Sequence, residues 1–268
     1  MSLVSDTHGR VIERLVNVPS SYEPSETALI ILGDVGFNFY LNNTDRNLKR
    51  QVNYTGYTIY CVRGNHEERP ENLPYIVSEY DQEVGNTIIF EPDFPNIRYL
   101  LDGGEYNING YSVLVVGGAY SVDKWWRLGN APKDAKWTGW FEQEQLDEYE
   151  RSEILQKVKG KKYDFVFTHT CPICWEPRDL FLNAVDQTTV DKSMENWLQE
   201  IKDNITYHTW CFGHYHDDRL VRPGVEMYYS DIENLEDIHQ RWTSGDEPEW
   251  YLKKDPNYYM EEGNGLNG

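Results

Sequence analysis

Cysteine is scarce, with four in 268 residues, and that excludes a disulfide framework as the basis of the fold. Cys171 and Cys174 are spaced C-x-x-C, but no second such pair completes a zinc knuckle, and Pro172 between them belongs to loop chemistry. They are expected to be partly buried thiols, not metal or redox ligands. No apolar run reaches the length of a membrane span. The first residues lack a charged region followed by an apolar run, so no signal peptide is expected. A cytoplasmic, reducing compartment follows as the expectation. Positive charge is also in short supply. Lys and Arg total 25 against 45 Asp and Glu, a formal net charge of -20. Such a surface repels nucleic-acid phosphates and anionic membranes. It serves solubility, or it suits a site that brings its own positive charge, such as bound metal. The chain shows no internal repeat.

What the chain does have is aromatic content, 9 Trp and 20 Tyr, and enough length for one large α/β domain with a full core. Met1–Ser5 leaves room for only a short strand; a central strand is usually longer, so the true start is expected to be trimmed. Arg10–Val18 has helical spacing. Thr27–Leu32 and Gly56–Val62 are apolar runs that read as buried strands, with a helix expected over Asn42–Asn53 between them. Strands alternating with helices imply parallel pairing. The middle differs: Asn86–Phe90, Ile97–Leu101, Glu105–Ile108 and Tyr111–Gly117 are short strands split by Pro and Gly signals, and Asn109-Gly110 predicts a hairpin turn. This region reads as antiparallel or mixed sheet.

Ser121–Gly139, with Trp125, Trp126, Arg127 and Trp137, has no clear period. It reads as a long loop folded over the core, or as a wall beside a site. Phe141–Val158 reads as a charged helix, Tyr163–Thr168 as a buried strand, Thr189–Ile201 as a helix and Tyr207–Phe212 as a strand. A last hairpin is expected about Arg222-Pro223-Gly224. The expected domain runs over 1–240, followed by an acidic Pro- and Gly-containing tail over 241–268 that is partly disordered, Gly263–Gly268 in particular.

The residues at the expected strand ends form a set: Asp6 and His8, Asp34, Asn65 and His66, His169, then His214 and His216. All are metal-ligand or proton-transfer types, and they include five of the seven histidines. In open α/β sheets the carboxyl ends of the strands are where ligands bind. Each motif alone is a weak signal. Five in a row, each at a strand end, are hard to obtain by chance.

The order D-x-H, G-D, G-N-H-E, T-H, G-H-x-H from Asp6 to His216 resembles the calcineurin-like metallophosphoesterases. The resemblance implies an α/β fold: a two-sheet mixed β-sandwich flanked by helices in four αββα layers, with a dinuclear site at the strand ends. Motif by motif, it implies a first metal held by Asp6, His8, Asp34 and His216. A second is held by Asp34, Asn65, His169 and His214, and His66 stays off the metals near the leaving group. Arg63-Gly64-Asn65-His66-Glu67 is similar to the phosphoprotein phosphatase and dinucleoside-tetraphosphatase branch. That branch carries Gly-Asp-x-x-Asp-Arg-Gly where this chain has Gly33-Asp34-Val35-Gly36-Phe37-Asn38. Phe37 replaces the Asp that orients the catalytic His, and Asn38 replaces a phosphate-holding Arg. The orienting role would pass to Glu67, and phosphate binding to Arg63 with Arg127 as a second. Arg63 has an equal alternative as a salt bridge inside its loop.

The chemistry supports the resemblance independently. Two divalent cations about 3.5–4 Å apart need an anion between them, and Asp34 has neighbours on both sides. Imidazole and carboxylate ligands suit Mn, Fe or Zn better than Ca. A water shared by both metals would attack phosphorus near neutral pH, and His66 would protonate the departing oxygen. The expectation is therefore a hydrolase of a phosphomonoester or phosphodiester, small-molecule or phosphoprotein. The alternatives are a non-catalytic binding module of the same fold, and a nuclease, which the charge disfavours.

Overall fold

The computed structural model describes residues 1–18, 23–132 and 137–243. The expected tail beyond Thr243, with Gly263–Gly268, lies outside the described residues. The first six strands are β1 (Ser2–Val4), β2 (Ala28–Leu32), β3 (Thr58–Val62), β4 (Val77–Asp81), β5 (Asn86–Phe90) and β6 (Ile97–Tyr99). The next six are β7 (Gly104–Ile108), β8 (Tyr111–Val116), β9 (Lys162–Thr168), β10 (Thr206–Phe212), β11 (Arg219–Arg222) and β12 (Val225–Met227). The short β13 (Glu233–Asn234) returns to the first group. These make a seven-stranded sheet, β13-β1-β2-β3-β6-β5-β4, and a six-stranded sheet, β11-β12-β10-β9-β8-β7. In the first, β1, β2, β3 and β6 run parallel; in the second, β8, β9, β10 and β12 do. Both sheets are mixed, as expected.

Alternation along the strands explains the layers. Ile30, Leu32, Tyr60 and Val62 from one sheet pack with Val113, Val115, Phe165 and Phe167 from the other in a core between the sheets. Their neighbours Leu29, Ile31, Ile59 and Cys61 face the opposite way, onto the helices α1 (Val11–Leu15) and α2 (Asn43–Tyr54). After the short α3 (Lys124–Asn130), the helices α4 (Glu148–Val158) and α5 (Ser193–Asn204) cover the outer face of the second sheet through Ile154, Val158, Trp197, Leu198 and Ile201 against Leu114, Val116, Val166 and Trp210. A strand buried on both faces has no polar positions to spare, so it reads as an unbroken apolar run. Burying each large side chain contributes roughly 1.5–3 kcal/mol.

Several expected boundaries move. The helix expected from Phe141 begins only at Glu148, because Asp147 caps it: its side chain accepts the Glu150 amide and the Glu150 carboxylate accepts the Asp147 amide, both at 2.8 Å. Part of the Trp-rich segment is helical, as α3, and not loop; Trp125 and Trp126 are 65% and 69% exposed. A final helix, α6 (Leu235–Thr243), spans the boundary drawn after residue 240, and its Arg241 pairs with Glu226 and Glu233.

Candidate metal centre

The parallel strands β1, β2 and β3 end side by side, and so do β9 and β10 of the other sheet. Backbone bonds hold the loops beyond them in register: Asp6 N to Gly33 O at 3.2 Å, His8 N to Asp34 O at 2.8 Å, and Gly213 N to His169 O at 2.9 Å. The two sheets meet here. His169, at the end of β9, places Nδ1 2.7 Å from the carbonyl of Leu32, at the end of β2. A Cβ on Gly33 would overlap the His169 ring, and one on Gly64 would overlap Asp34, so these two glycines are what allow the strands' loops to approach.

Asp6, Asp34, Asn65 and His169 are buried. Asp6 Oδ2 accepts the His214 amide at 2.9 Å, and Asp34 Oδ1 accepts the His66 amide at 2.8 Å. The Nε2 atoms of His8 and His216 stand 2.9 Å apart. His216 Nε2 lies 3.5 Å from Asp6 Oδ1. Asp34 turns its two oxygens to opposite sides, Oδ2 to His8 Nε2 at 3.8 Å and Oδ1 to His169 Nε2 at 3.6 Å. The His169 and His214 rings are 5.1 Å apart. Asn65 is oriented by Ser121, whose Oγ accepts its Nδ2 at 2.8 Å, and this sets Oδ1 2.8 Å from His169 Nε2.

The backbone is strained here. Asp6, His8, Asp34, His214 and His216 have φ of 49, 44, 49, 72 and 56°. For a non-glycine residue that conformation costs roughly 1–2 kcal/mol. Such outliers gather where a site dictates the backbone.

Electrostatics keep the two acids charged and favour the neutral forms of His8 and His214. Burial opposes the charge of Asp34, but His169, His66 and His8 outweigh it and hold the carboxyl below its usual range. Asp6 is held low in the same way, against burial, by His216 and His169. Burial, together with His169, lowers His214 to about 3, and burial lowers His8. His216 is raised by its interaction with Asp6.

Residues 3–218 match the family model of the calcineurin-like phosphoesterases. The chain belongs to the calcineurin-like phosphoesterase family. The matched span contains every one of the five motifs. No curated protein matches the chain. The family and the ligand-type groups support a metal-dependent phosphoesterase in general terms.

The residues of this family member fit divalent cations. Two groups bring their ligand atoms within 4.8 Å of one another: Asp6 with His8 and His216, and Asp6 with Asp34 and His169. Asp6 Oδ1 is buried with no hydrogen-bond partner among the described residues. With Nδ1 on the Leu32 carbonyl, the tautomer that carries its proton on Nδ1 turns a ligating Nε2 toward the Asn65 oxygen. In that tautomer both atoms are acceptors that converge on one point, as two ligands of one cation do. No described cysteine belongs to either group; Cys171 is buried in the core behind β9, 3.8 Å from the Tyr215 hydroxyl.

Two expectations about second-rank residues, Arg63 and Glu67, are corrected, and Arg127 keeps its place at a cleft. Arg63 does not reach the site. Its Nε donates to Asp102 at 2.8 Å, Nη1 to the Glu144 carbonyl at 2.7 Å and Nη2 to the Gly117 carbonyl at 3.3 Å, and it is 3% exposed. It staples the β3 loop to the β8 loop across the two sheets, with its own carbonyl accepting the Gly118 amide. Glu67 does not orient His66: its Oε1 accepts the Gly64 amide at 2.9 Å, and His66 Nδ1 has no partner among the described residues. Burial, with Asp34 close by, pushes Glu67 up to about 8. Arg127 does line a cleft beside the site, but donates Nε to Asp123 at 2.7 Å and Nη1 to the Gly139 carbonyl at 2.9 Å. Sequence reasoning missed Ser121, and also Glu195 and Tyr215, which line a second cleft. Tyr215 was visible between His214 and His216; the other two carry no sequence signal.

Proposed function

We propose that the protein hydrolyses a phosphoester at a dinuclear centre. Asp6, His8, Asp34 and His216 would hold one divalent cation, and Asp34, Asn65, His169 and His214 would hold the other. The observation that carries this reading is the His169–Asn65 apposition, with Asp34 facing a histidine on each side. When bound, the two ions offset charge on the phosphoryl oxygens and lower the pKa of a shared water enough for it to attack phosphorus near neutral pH.

The chain's own residues do the rest. Asp34 and Asp6 supply the negative charge that lets two cations sit close together. Ser121 fixes the Asn65 amide so that its oxygen, the only ligating atom it has, faces the centre. His66 is held by its amide to Asp34, while its ring lines both clefts beside the centre. From there it gives a proton to the departing oxygen. The ions are Mn, Fe or Zn, since the donor set is imidazole, carboxylate and amide oxygen. The substrate is a small-molecule or phosphoprotein ester met in the cytoplasm, and the net charge of -20 disfavours nucleic acid and anionic membrane. No helix among the described residues is long and apolar enough to cross a membrane.

The test is a turnover panel with p-nitrophenyl phosphate, bis-p-nitrophenyl phosphate, a phosphopeptide and a dinucleoside polyphosphate, run on protein loaded with each metal. Turnover of at least one ester that disappears on chelation and in Asp34→Ala is the expected result. No turnover with any metal would mark a binding module.

A further inference from the structure

Two clefts flank the candidate centre, and His66, Asp123 and His216 form their common wall. The first has a volume of about 850 Å³ and runs along α2, with Phe39 and Tyr40 as an aromatic shelf. The second, about 260 Å³, is walled by Leu180, Phe181, Leu182, Val185 and Val190. Its far side carries Glu195, which is 3% exposed. Glu195 Oε1 accepts the Thr170 hydroxyl at 2.9 Å, and Oε2 has no partner among the described residues.

Resting on the function proposed above, we infer that the substrate is a small phosphodiester with a single phosphate, one organic group in each cleft. A monoester has one organic group and fills one cleft. The second cleft takes a substituent with an apolar body that ends in a hydrogen-bond donor for Glu195.

The charge inventory gives an independent argument. At neutral pH a monoester presents three non-bridging oxygens and close to two charges, whereas a diester presents two oxygens and one charge. Two cations take two oxygens; the third oxygen of a monoester asks for a fixed donor. The cationic side chains that line the two clefts, and those of the loops beyond β2 and β3, are engaged elsewhere. Arg63 is spent on Asp102 and on carbonyls. Asn38 donates to the Tyr99 hydroxyl at 3.2 Å. Arg127 is paired with Asp123, and Lys192 donates to Glu176 at 2.6 Å. Further phosphates, as in a polynucleotide or a polyphosphate, would meet Asp45 and Asp123 in one cleft and Glu195 in the other. In the reaction, water oxygen bonds to phosphorus and one ester P–O bond breaks. The departing alkoxide takes its proton from His66, the attacking water gives up a proton to solvent from which His66 is recharged, and a monoester and an alcohol are left.

The test compares two non-hydrolysable probes by titration calorimetry on metal-loaded protein. Diphenylphosphinate carries two organic groups and one charge, and phenylphosphonate carries one group and up to two charges. Diphenylphosphinate is expected to bind at least about tenfold tighter. Gln51→Trp fills the first cleft and Val185→Trp the second. Each should weaken diphenylphosphinate by about tenfold or more, while phenylphosphonate responds to one of them at most. In parallel, bis-p-nitrophenyl phosphate should be cleaved with higher kcat/KM than p-nitrophenyl phosphate. Tighter phenylphosphonate binding with preferred monoester turnover would overturn the diester assignment and leave the hydrolytic function standing. Diphenylphosphinate binding that depends on both clefts, with neither ester cleaved, would overturn the hydrolytic function and leave the two-cleft assignment standing.

Discussion

His8 and His216 lie 208 residues apart in the chain and bring their Nε2 atoms to 2.9 Å of each other. Two imidazole nitrogens converge this way on a shared proton or on a cation, and in the proposed centre it is a cation that Asp6 holds with them. Loss of either histidine should therefore cost one ion per chain and spare the other.

Asp34 behaves differently, because its two oxygens face His8 and His169. Asp34→Ala should lower occupancy at both positions, measured by elemental analysis of the purified variant. Asp6→Ala should mainly lower the position that it shares with His8 and His216. Full two-metal content in Asp34→Ala would remove it from the bridging role.

Arg63 should matter for stability and not for substrate affinity. Removing one partner of a buried ion pair strands the other, at a cost of about 3–5 kcal/mol. Arg63→Ala is expected to lower the denaturation midpoint sharply, by chemical unfolding, with KM of the folded fraction unchanged. A raised KM at unchanged stability would restore it to phosphate binding.

His66 separates by leaving group. A departing alkoxide needs a proton and p-nitrophenolate barely does. General acid catalysis is worth about 10²–10⁴-fold. His66→Gln should keep both metals, lose at least about two orders of magnitude on alkyl esters, and lose much less on p-nitrophenyl esters. Equal losses together with a missing metal would make His66 a ligand.

The strands of the two sheets were legible because burial on both faces leaves continuous apolar runs, and the loops because Asp, His and Asn sit at their ends. Edge elements were not. β4 exposes most of its residues, so Val77–Asp81 lacks an apolar run. β13 and α6 follow a stretch whose only strong signals are Tyr and acids. Arg63 was left between phosphate contact and a salt bridge because its partners, Asp102 and backbone carbonyls, come from distant segments that no local pattern encodes. The second cleft was invisible because its walls come from 180–190, where short turns give no periodicity.

Glu195 gives a pH-dependent stability. Burial raises its carboxyl from 4.5 to about 7 in the folded state, against Thr170 and Lys192. Between those values the native state binds the proton more tightly than the unfolded one, so stability falls as pH rises from about 4.5 through 7. One pKa unit is about 1.4 kcal/mol, which makes the swing on the order of 3 kcal/mol. Glu195→Gln should flatten this part of the stability profile in urea titrations at pH 5 and 8. An unchanged slope would place the titrating group elsewhere.

The strand carrying Asp6 and His8 is three residues long and is completed on its outer side by β13, with Ser2 opposite Asn234 and Leu3 opposite Glu233. Synthesis runs from the amino end, so the first ligands to emerge wait for the last strand. The centre closes only after more than two hundred further residues have left the ribosome, and pairings of such sequence separation form slowly. Until then Asp6 and His8 lack His216, which faces both of them in the folded chain. The centre is thus a product of the closed fold and not of any one of its loops.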